Sequence, residues 1–169
     1  IKINNRWYLC DATWSAGQTI IINGTPLFQP DYFDGYFLAD PELFAKNHFP
    51  IHKEESQPIN TDNLNTFIAG PVIYKEAFLT PIIPVAPTEM YRNIQKGRSV
   101  TFKLQVPKEF IGEAQLFLNT GGNQKNGNPN IIRKEGEINL VQHFERKGMY
   151  DVHISVEDQL IATYVIKVK

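Results

Sequence analysis

Asp11 is the residue whose type and setting point most clearly to chemistry. It lies in the stretch RWYLCDATW, residues 6–14, whose large apolar residues predict a β-strand that breaks towards Gly17. A carboxylate buried in a strand needs a hydrogen bond or a cation, because desolvation penalises its charged form. Asp11 is therefore either a structural hydrogen-bond acceptor, the commoner case for a lone strand aspartate, or the group that orients a cationic partner.

Cys10 is the single cysteine of the 169 residues and the other candidate for chemistry. Adjacent strand residues point to opposite faces, so Cys10 and Asp11 are not expected to line one site. A reactive thiolate also needs a helix N-terminus or a nearby cation, and the middle of an apolar strand offers neither. We therefore predict that Cys10 is an inert core residue.

Aspartates and histidines further along raise the alternative of a metal site. The aspartates are Asp31, Asp34 and Asp40. Their spacing does not match an EF-hand loop, and the last one precedes a proline, which predicts an N-cap and a short helix over residues 41–46. His48 and His52 flank Pro50, which argues against the helix that would suit zinc, so we interpret them as a turn and a surface residue. We expect no metal and no cofactor.

Turn signals define the elements that position Asp11. Residues 1–3 and 6–11 form two extended runs joined by Asn4-Asn5, which tolerate the positive φ of a tight hairpin. Residues 19–22 predict a second extended run before the Asn23-Gly24 turn. Residues 53–65 are polar and predict a loop, after which Pro71 predicts the start of a short helix.

Residues 85–169 show the alternation of an antiparallel β-sandwich of six or seven strands. The alternating apolar positions of the first strand are Val100, Phe102, Leu104 and Val106. Three prolines between residues 80 and 87 predict a domain boundary near Pro84. Gly148-Met149-Tyr150 resembles the tyrosine corner of immunoglobulin-like domains. The polar stretch 121–130 predicts a mobile strand connection, and His143 and His153 could face each other across strands without forming a metal site.

The motifs of the first half resemble a known family. WYLCDATWSAG followed by FDGYFLADPELFAKNHFP, residues 33–50, resembles the C-terminal part of a transglutaminase-like domain of the kyphoscoliosis-peptidase type. The resemblance implies a partial α+β, cysteine-protease-type sheet over residues 1–84, followed by an immunoglobulin-like domain over residues 85–169. It implies that Asp11 is the third member of a Cys-His-Asp triad, whose Cys and His would lie upstream of Ile1. The start at Ile1 within a hairpin predicts a piece cut from a longer protein.

Composition narrows the range of partners. The formal net charge is −1 with the charged residues scattered singly, so we expect neither nucleic acid nor an anionic membrane as partner. No apolar run approaches the roughly 18 residues that a membrane span needs. The single cysteine leaves the compartment open, with an exported protein favoured. If the chain is a piece cut from a longer protein, it leaves an apolar sheet face exposed, and such a face favours dimerisation.

Two functional hypotheses follow. In the first, the chain is part of a cysteine hydrolase or acyltransferase acting on protein amide bonds, with a protein or peptide substrate, to which Asp11 contributes the imidazole-orienting carboxylate. The chain alone would be inactive, because it lacks the nucleophile and the base. In the second, it is a non-catalytic protein-interaction or structural module, and Asp11 is only a hydrogen-bond acceptor.

Overall fold

The structure, a computed structural model, describes residues 1–50 and 63–169. The chain is mainly β, with a few short helices. In the first half, β1 (Lys2–Ile3) pairs with β2 (Arg6–Trp7), α1 (Ala12–Ala16) follows, and β3 (Gly17–Ile22) pairs with β4 (Thr25–Pro30). A 3-10 turn (Asp34–Tyr36) and α2 (Pro41–Phe44) come next. Beyond the gap in the described residues lie α3 (Leu64–Ala69), β5 (Val72–Ile73) and a 3-10 turn (Lys75–Phe78).

The predicted turns account for the first two hairpins. Asn4 and Asn5 have φ of 47° and 63°, and Asn23 and Gly24 have φ of 51° and 78°, so each pair forms a two-residue turn with both φ positive. This confirms the two predicted turns. The helix predicted after Asp40 is also confirmed, although it ends at Phe44 rather than Lys46.

The second half is a β-sandwich, as predicted, but it has nine strands rather than six or seven, and one strand pair is parallel rather than antiparallel. Its remaining strands are β6 (Ile83–Ala86), β7 (Tyr91–Ile94), β8 (Arg98–Gln105), β9 (Ala114–Thr120), β10 (Asn123–Asn126), β11 (Asn130–Lys134), β12 (Glu137–Phe144), β13 (Gly148–Val156) and β14 (Gln159–Val168). One sheet has the order β11-β12-β8-β6. The other runs β10-β9-β13-β14, with β5 antiparallel and β7 parallel to the far edge of β14.

The core between the sheets follows from the alternation of the sequence. Val100, Phe102 and Leu104 of β8 are buried, as predicted, and Phe102 packs against Tyr164 of β14 with ring centroids 5.1 Å apart. Tyr150 donates a hydrogen bond from its hydroxyl to the Arg146 carbonyl at 2.9 Å, the hydrogen bond that defines a tyrosine corner.

β14 is buried on both faces, which connects the two halves of the chain. Its inner face meets the other sheet, while on its outer side the Tyr74 hydroxyl lies 3.2 Å from Thr163 Oγ1. Ala77 and Phe78 are buried in the same apolar cluster as Tyr36. The sandwich therefore supports the short helices of the first half. Because β5 pairs with β14, strands from both sides of Pro84 share the sandwich, and a division at residue 84 stays a prediction.

Several local predictions are wrong. Asp11 is not in a strand but precedes α1, and Cys10 is exposed rather than in the core. Pro71 opens no helix, because β5 follows it and pairs with β14.

Two predictions in the second half are also wrong. Part of the predicted loop 121–130 is β10, which pairs with β9. His143 and His153 do not face each other, because they lie in different sheets and contact Ser99 and Thr163 respectively. The predicted loop 53–65 ends earlier than expected, because α3 begins at Leu64. His52 and residues 53–62 lie outside the described residues.

Candidate functional site

Asp11 is the N-cap of α1. Its backbone is extended, with φ −116° and ψ 101°, and its Oδ1 accepts hydrogen bonds from the amides of Thr13 and Trp14, both at 2.8 Å. These amides belong to the first turn of the helix, where backbone N–H groups have no intrahelical acceptor. The helix that follows, ATWSA, has only five residues, so the cap supplies much of the local order.

His48 supplies the second partner of the Asp11 carboxylate. It follows α2, and its backbone amide donates to the Phe44 carbonyl at 3.0 Å across the turn that ends the helix. This places the imidazole Nε2 at 2.9 Å from Asp11 Oδ2. Thirty-seven positions of sequence separate the two residues, so tertiary packing alone brings them together.

The other ring nitrogen of His48 is also engaged. Nδ1 lies 2.5 Å from Asn47 Oδ1, and Asn47 Nδ2 donates to the Tyr36 hydroxyl at 3.4 Å. Both ring nitrogens of His48 thus have an oxygen atom within hydrogen-bonding distance. His48 is therefore held between Asp11 and Asn47 and presents no free nitrogen to a substrate.

Aromatic side chains surround the imidazole. The Phe44 ring stacks on it, with centroids 3.8 Å apart and planes at 15°, and the Trp14 ring lies 4.8 Å away at 50°. Tyr36 closes a third side at 5.7 Å and is itself in contact with Phe78 at 4.7 Å. Rings on three sides hold the imidazole in one plane and keep its hydrogen bonds partly shielded from water.

The site is half-buried, and its electrostatics favour the charged carboxylate. The side chains of Asp11 and His48 are 18% and 20% exposed. Partial burial acts to raise the pKa of Asp11, but the hydrogen bonds from the Trp14 amide, His48 and the Thr13 amide outweigh it, and the pKa lies below its ordinary value. Asp11 is thus an ionised, fixed acceptor.

Cys10 does not join this arrangement. It is exposed, and its sulfur accepts a hydrogen bond from the Leu38 amide at 3.3 Å. Within residues 1–50 and 63–169, no three His, Cys, Asp or Glu side chains are grouped so that they could hold a metal ion. In the same part of the chain, no helix is long and apolar enough to cross a membrane.

Sequence reasoning found Asp11 but missed its partner. The need of a half-buried carboxylate for a hydrogen-bond partner was the correct signal, and His48 meets it, while the triad histidine implied upstream of Ile1 stays a prediction. His48 was interpreted as a turn residue because Pro50 excluded a helix carrying both histidines. The sequence gives no local spacing that would pair positions 11 and 48.

Comparisons with known proteins place these observations in context. No family model matches the sequence. Kyphoscoliosis peptidase of Mus musculus is 28% identical over 112 residues, and that of Homo sapiens is 29% identical over 112 residues. Each match covers 66% of this chain but 17% of the relative, so the chain spans less than a fifth of the length of these curated relatives.

Among solved structures, the chain is similar to domains with a β-sandwich. The Lin-41 filamin domain superposes with a TM-score of 0.39 and 14% identity, covering 59% of this chain and 97% of that one. A titin I27 domain mutant gives 0.37 and 16%, covering 53% and 88%. The strand pairings described above define the sandwich without these likenesses.

Proposed function

We propose that the chain is the C-terminal part of a transglutaminase-like cysteine hydrolase or acyltransferase, in which Asp11 orients the catalytic imidazole. The support is the similarity to kyphoscoliosis peptidase together with the geometry at Asp11. Three hydrogen bonds fix this carboxylate while 18% of the side chain stays exposed. Oδ2 accepts only the His48 contact within the described residues, which leaves it an acceptor site for a second imidazole.

The proposed reaction is acyl transfer at a protein amide. A thiolate attacks the amide carbonyl, and the imidazolium beside it gives its proton to the departing amine as the C–N bond breaks. Water or another amine then gives its proton to the imidazole as it attacks the thioester, and the C–S bond breaks to release the acid or new amide and restore the thiolate. Asp11 holds the imidazole in the required tautomer and stabilises its protonated form. The thiolate and that imidazole would come from sequence outside this chain, because Cys10 and His48 are engaged elsewhere.

The experiment is an Asp11→Asn substitution in the natural full-length protein. Asparagine is as good an N-cap as aspartate, so α1 should remain folded while the charge that orients the imidazole is lost. We expect the rate of peptide hydrolysis or amine incorporation to fall by about 10⁴-fold, as for a triad aspartate replaced by asparagine.

Asp40→Asn is the matched control. Asp40 caps α2 through the amides of Glu42 and Leu43, as Asp11 caps α1, but no imidazole contacts it among the described residues. Its substitution should leave the rate unchanged. If Asp11→Asn retains activity within a few-fold of the wild type, Asp11 does not orient the catalytic imidazole.

A second candidate is a non-catalytic interaction or structural module. The observation favouring it is that α1 capping and the His48 contact already account for every hydrogen bond made by the Asp11 side chain in the described residues. This role predicts that the full-length protein neither cleaves peptides nor incorporates a fluorescent primary amine into a glutamine-containing protein. Thiol-dependent turnover, abolished by iodoacetamide, would exclude it.

A further inference from the structure

The hairpin formed by β3 and β4 has two chemically different edges. Asp31 donates its amide to the Ala16 carbonyl at 3.1 Å, so residues 16 and 31 form a hydrogen-bonded pair that continues the register of the hairpin. In an antiparallel ladder such pairs alternate with non-hydrogen-bonded pairs, whose N–H groups point away from the partner strand. By this register, three pairs are non-hydrogen-bonded: Ile21 with Pro26, Thr19 with Phe28, and Gly17 with Pro30. The backbone N–H and C=O positions of these residues point outward from the hairpin.

Prolines prevent a further strand from pairing with the outer edge of β4. Pro26 and Pro30 both occupy outward positions, where a strand added to this edge would need an N–H donor, and proline has none. Prolines at such positions are a known means of preventing edge-to-edge pairing. The outer edge of β3 has no such block, because Thr19 and Ile21 keep their outward N–H and C=O groups. No strand within residues 1–50 and 63–169 pairs with this edge.

The apolar side chains of the hairpin are also poorly buried. Ile22 and Leu27 are 49% and 53% exposed, and Ile21 and Phe28 are 75% and 53% exposed, so apolar side chains remain accessible on both faces. A two-stranded hairpin alone is marginally stable in water, and a third strand or a packing surface is usually needed. An additional strand on the open edge would supply both the missing hydrogen bonds and the missing apolar contacts.

We propose that the open edge of β3 pairs with β3 of a second copy of this chain, antiparallel and across a two-fold axis. The register centred on Ile20 places Thr19 opposite Ile21 of the second copy, and outward N–H and C=O groups meet in both directions. No charged residue occurs between positions 12 and 30, so identical edges meet without repulsion between like charges. The result is a four-stranded sheet that ends on the proline-blocked β4 of each copy, which closes the assembly as a dimer rather than a fibre.

The first test compares Ile21→Pro with Phe28→Pro by sedimentation velocity. Both positions point outward, so each substitution removes one N–H that the hairpin itself does not use. We expect the wild type and Phe28→Pro to sediment with twice the mass of the chain, and Ile21→Pro to sediment as a monomer. Far-UV circular dichroism checks that both variants stay folded.

The second test needs no proline. In a Cys10→Ser background, Ile20→Cys should form a disulfide between two copies on mild oxidation, because non-hydrogen-bonded pairs in antiparallel strands bring Cβ atoms about 4.5–5.5 Å apart. Phe28→Cys, on the blocked edge, should not. A monomeric wild type, which would leave the edge to another occupant, overturns the proposal. So does a dimer that survives Ile21→Pro, because it would use a different surface.

Discussion

Replacing Asp11 tests how much the contact between α1 and His48 stabilises the first half of the chain. Asp11→Ala removes both functions of the carboxylate. Loss of the N-cap costs about 1 kcal/mol. Loss of the charge-assisted hydrogen bond to His48 costs about 1 kcal/mol more, below the roughly 1.5–3 kcal/mol usual for hydrogen bonds to charged groups, because the pair is one-fifth exposed and water screens it. We therefore expect the free energy of unfolding to fall by about 2 kcal/mol for Asp11→Ala, and by about half as much for Asp11→Asn, which retains the cap.

Tryptophan fluorescence during urea unfolding is the appropriate assay. The chain has two tryptophans, Trp7 and Trp14, and both lie in the first half. Trp14 contacts both His48 and Tyr36, so its emission reports the region that the substitution perturbs. Asp40→Asn is the control for a capping aspartate without an imidazole partner.

The pH dependence gives an independent check. The pKa of Asp11 in the folded protein lies below its ordinary value of 3.8, so the folded state favours the ionised form. The stabilisation is fully present above pH 3.8 and is lost as the pH falls through the folded pKa. The difference between wild type and Asp11→Ala should therefore shrink in acid. Equal stabilities of Asp11→Ala and Asp11→Asn at neutral pH, or a difference that grows in acid, would refute this account.

Two further predictions concern single positions. The Tyr164 hydroxyl is buried without a hydrogen-bond partner among the described residues, and burial raises its pKa. Tyr164→Phe should raise the free energy of unfolding by about 1 kcal/mol in urea denaturation, since it removes an unsatisfied polar group; a destabilised variant would indicate that the hydroxyl is bonded. Gly17 has φ of 146°, and a Cβ there would lie 2.2 Å from the Gln29 carbonyl oxygen. Gly17→Ala should therefore cost at least about 1 kcal/mol by the same assay, and a neutral result would contradict the close approach of β4.

Much of the fold could be predicted because it depends on local signals. The alternation at Val100, Phe102 and Leu104 predicted a strand of the sandwich, and these residues are buried as expected. The Asn4-Asn5 and Asn23-Gly24 turns were predicted because few residue types tolerate positive φ. Asp40 was identified as a cap from the proline that follows it.

The errors arose where tertiary contacts override local preference. The apolar run before Asp11 indicated a strand that continues past this residue. Residues 12–16 instead form a helix, because the Asp11 side chain caps its N-terminus and is held by a hydrogen bond with His48. Pro71 indicated a helix start, but pairing with β14 draws the following residues into the sheet. Cys10 was expected in the core because the strand was expected to continue.

The β-sandwich, its main turns and the need of the Asp11 carboxylate for a partner could be predicted from the sequence, because periodicity, positive φ and the cost of an unpartnered carboxylate are properties of residues and their near neighbours. By contrast, the pairing of His48 with Asp11 depends on tertiary packing, as do the contacts with Asn47 and Phe44 that hold the imidazole in place. The contact joins residues thirty-seven positions apart, and its formation depends on how α1 and α2 pack beside Tyr36 and Phe78. No local sequence pattern predicts that packing.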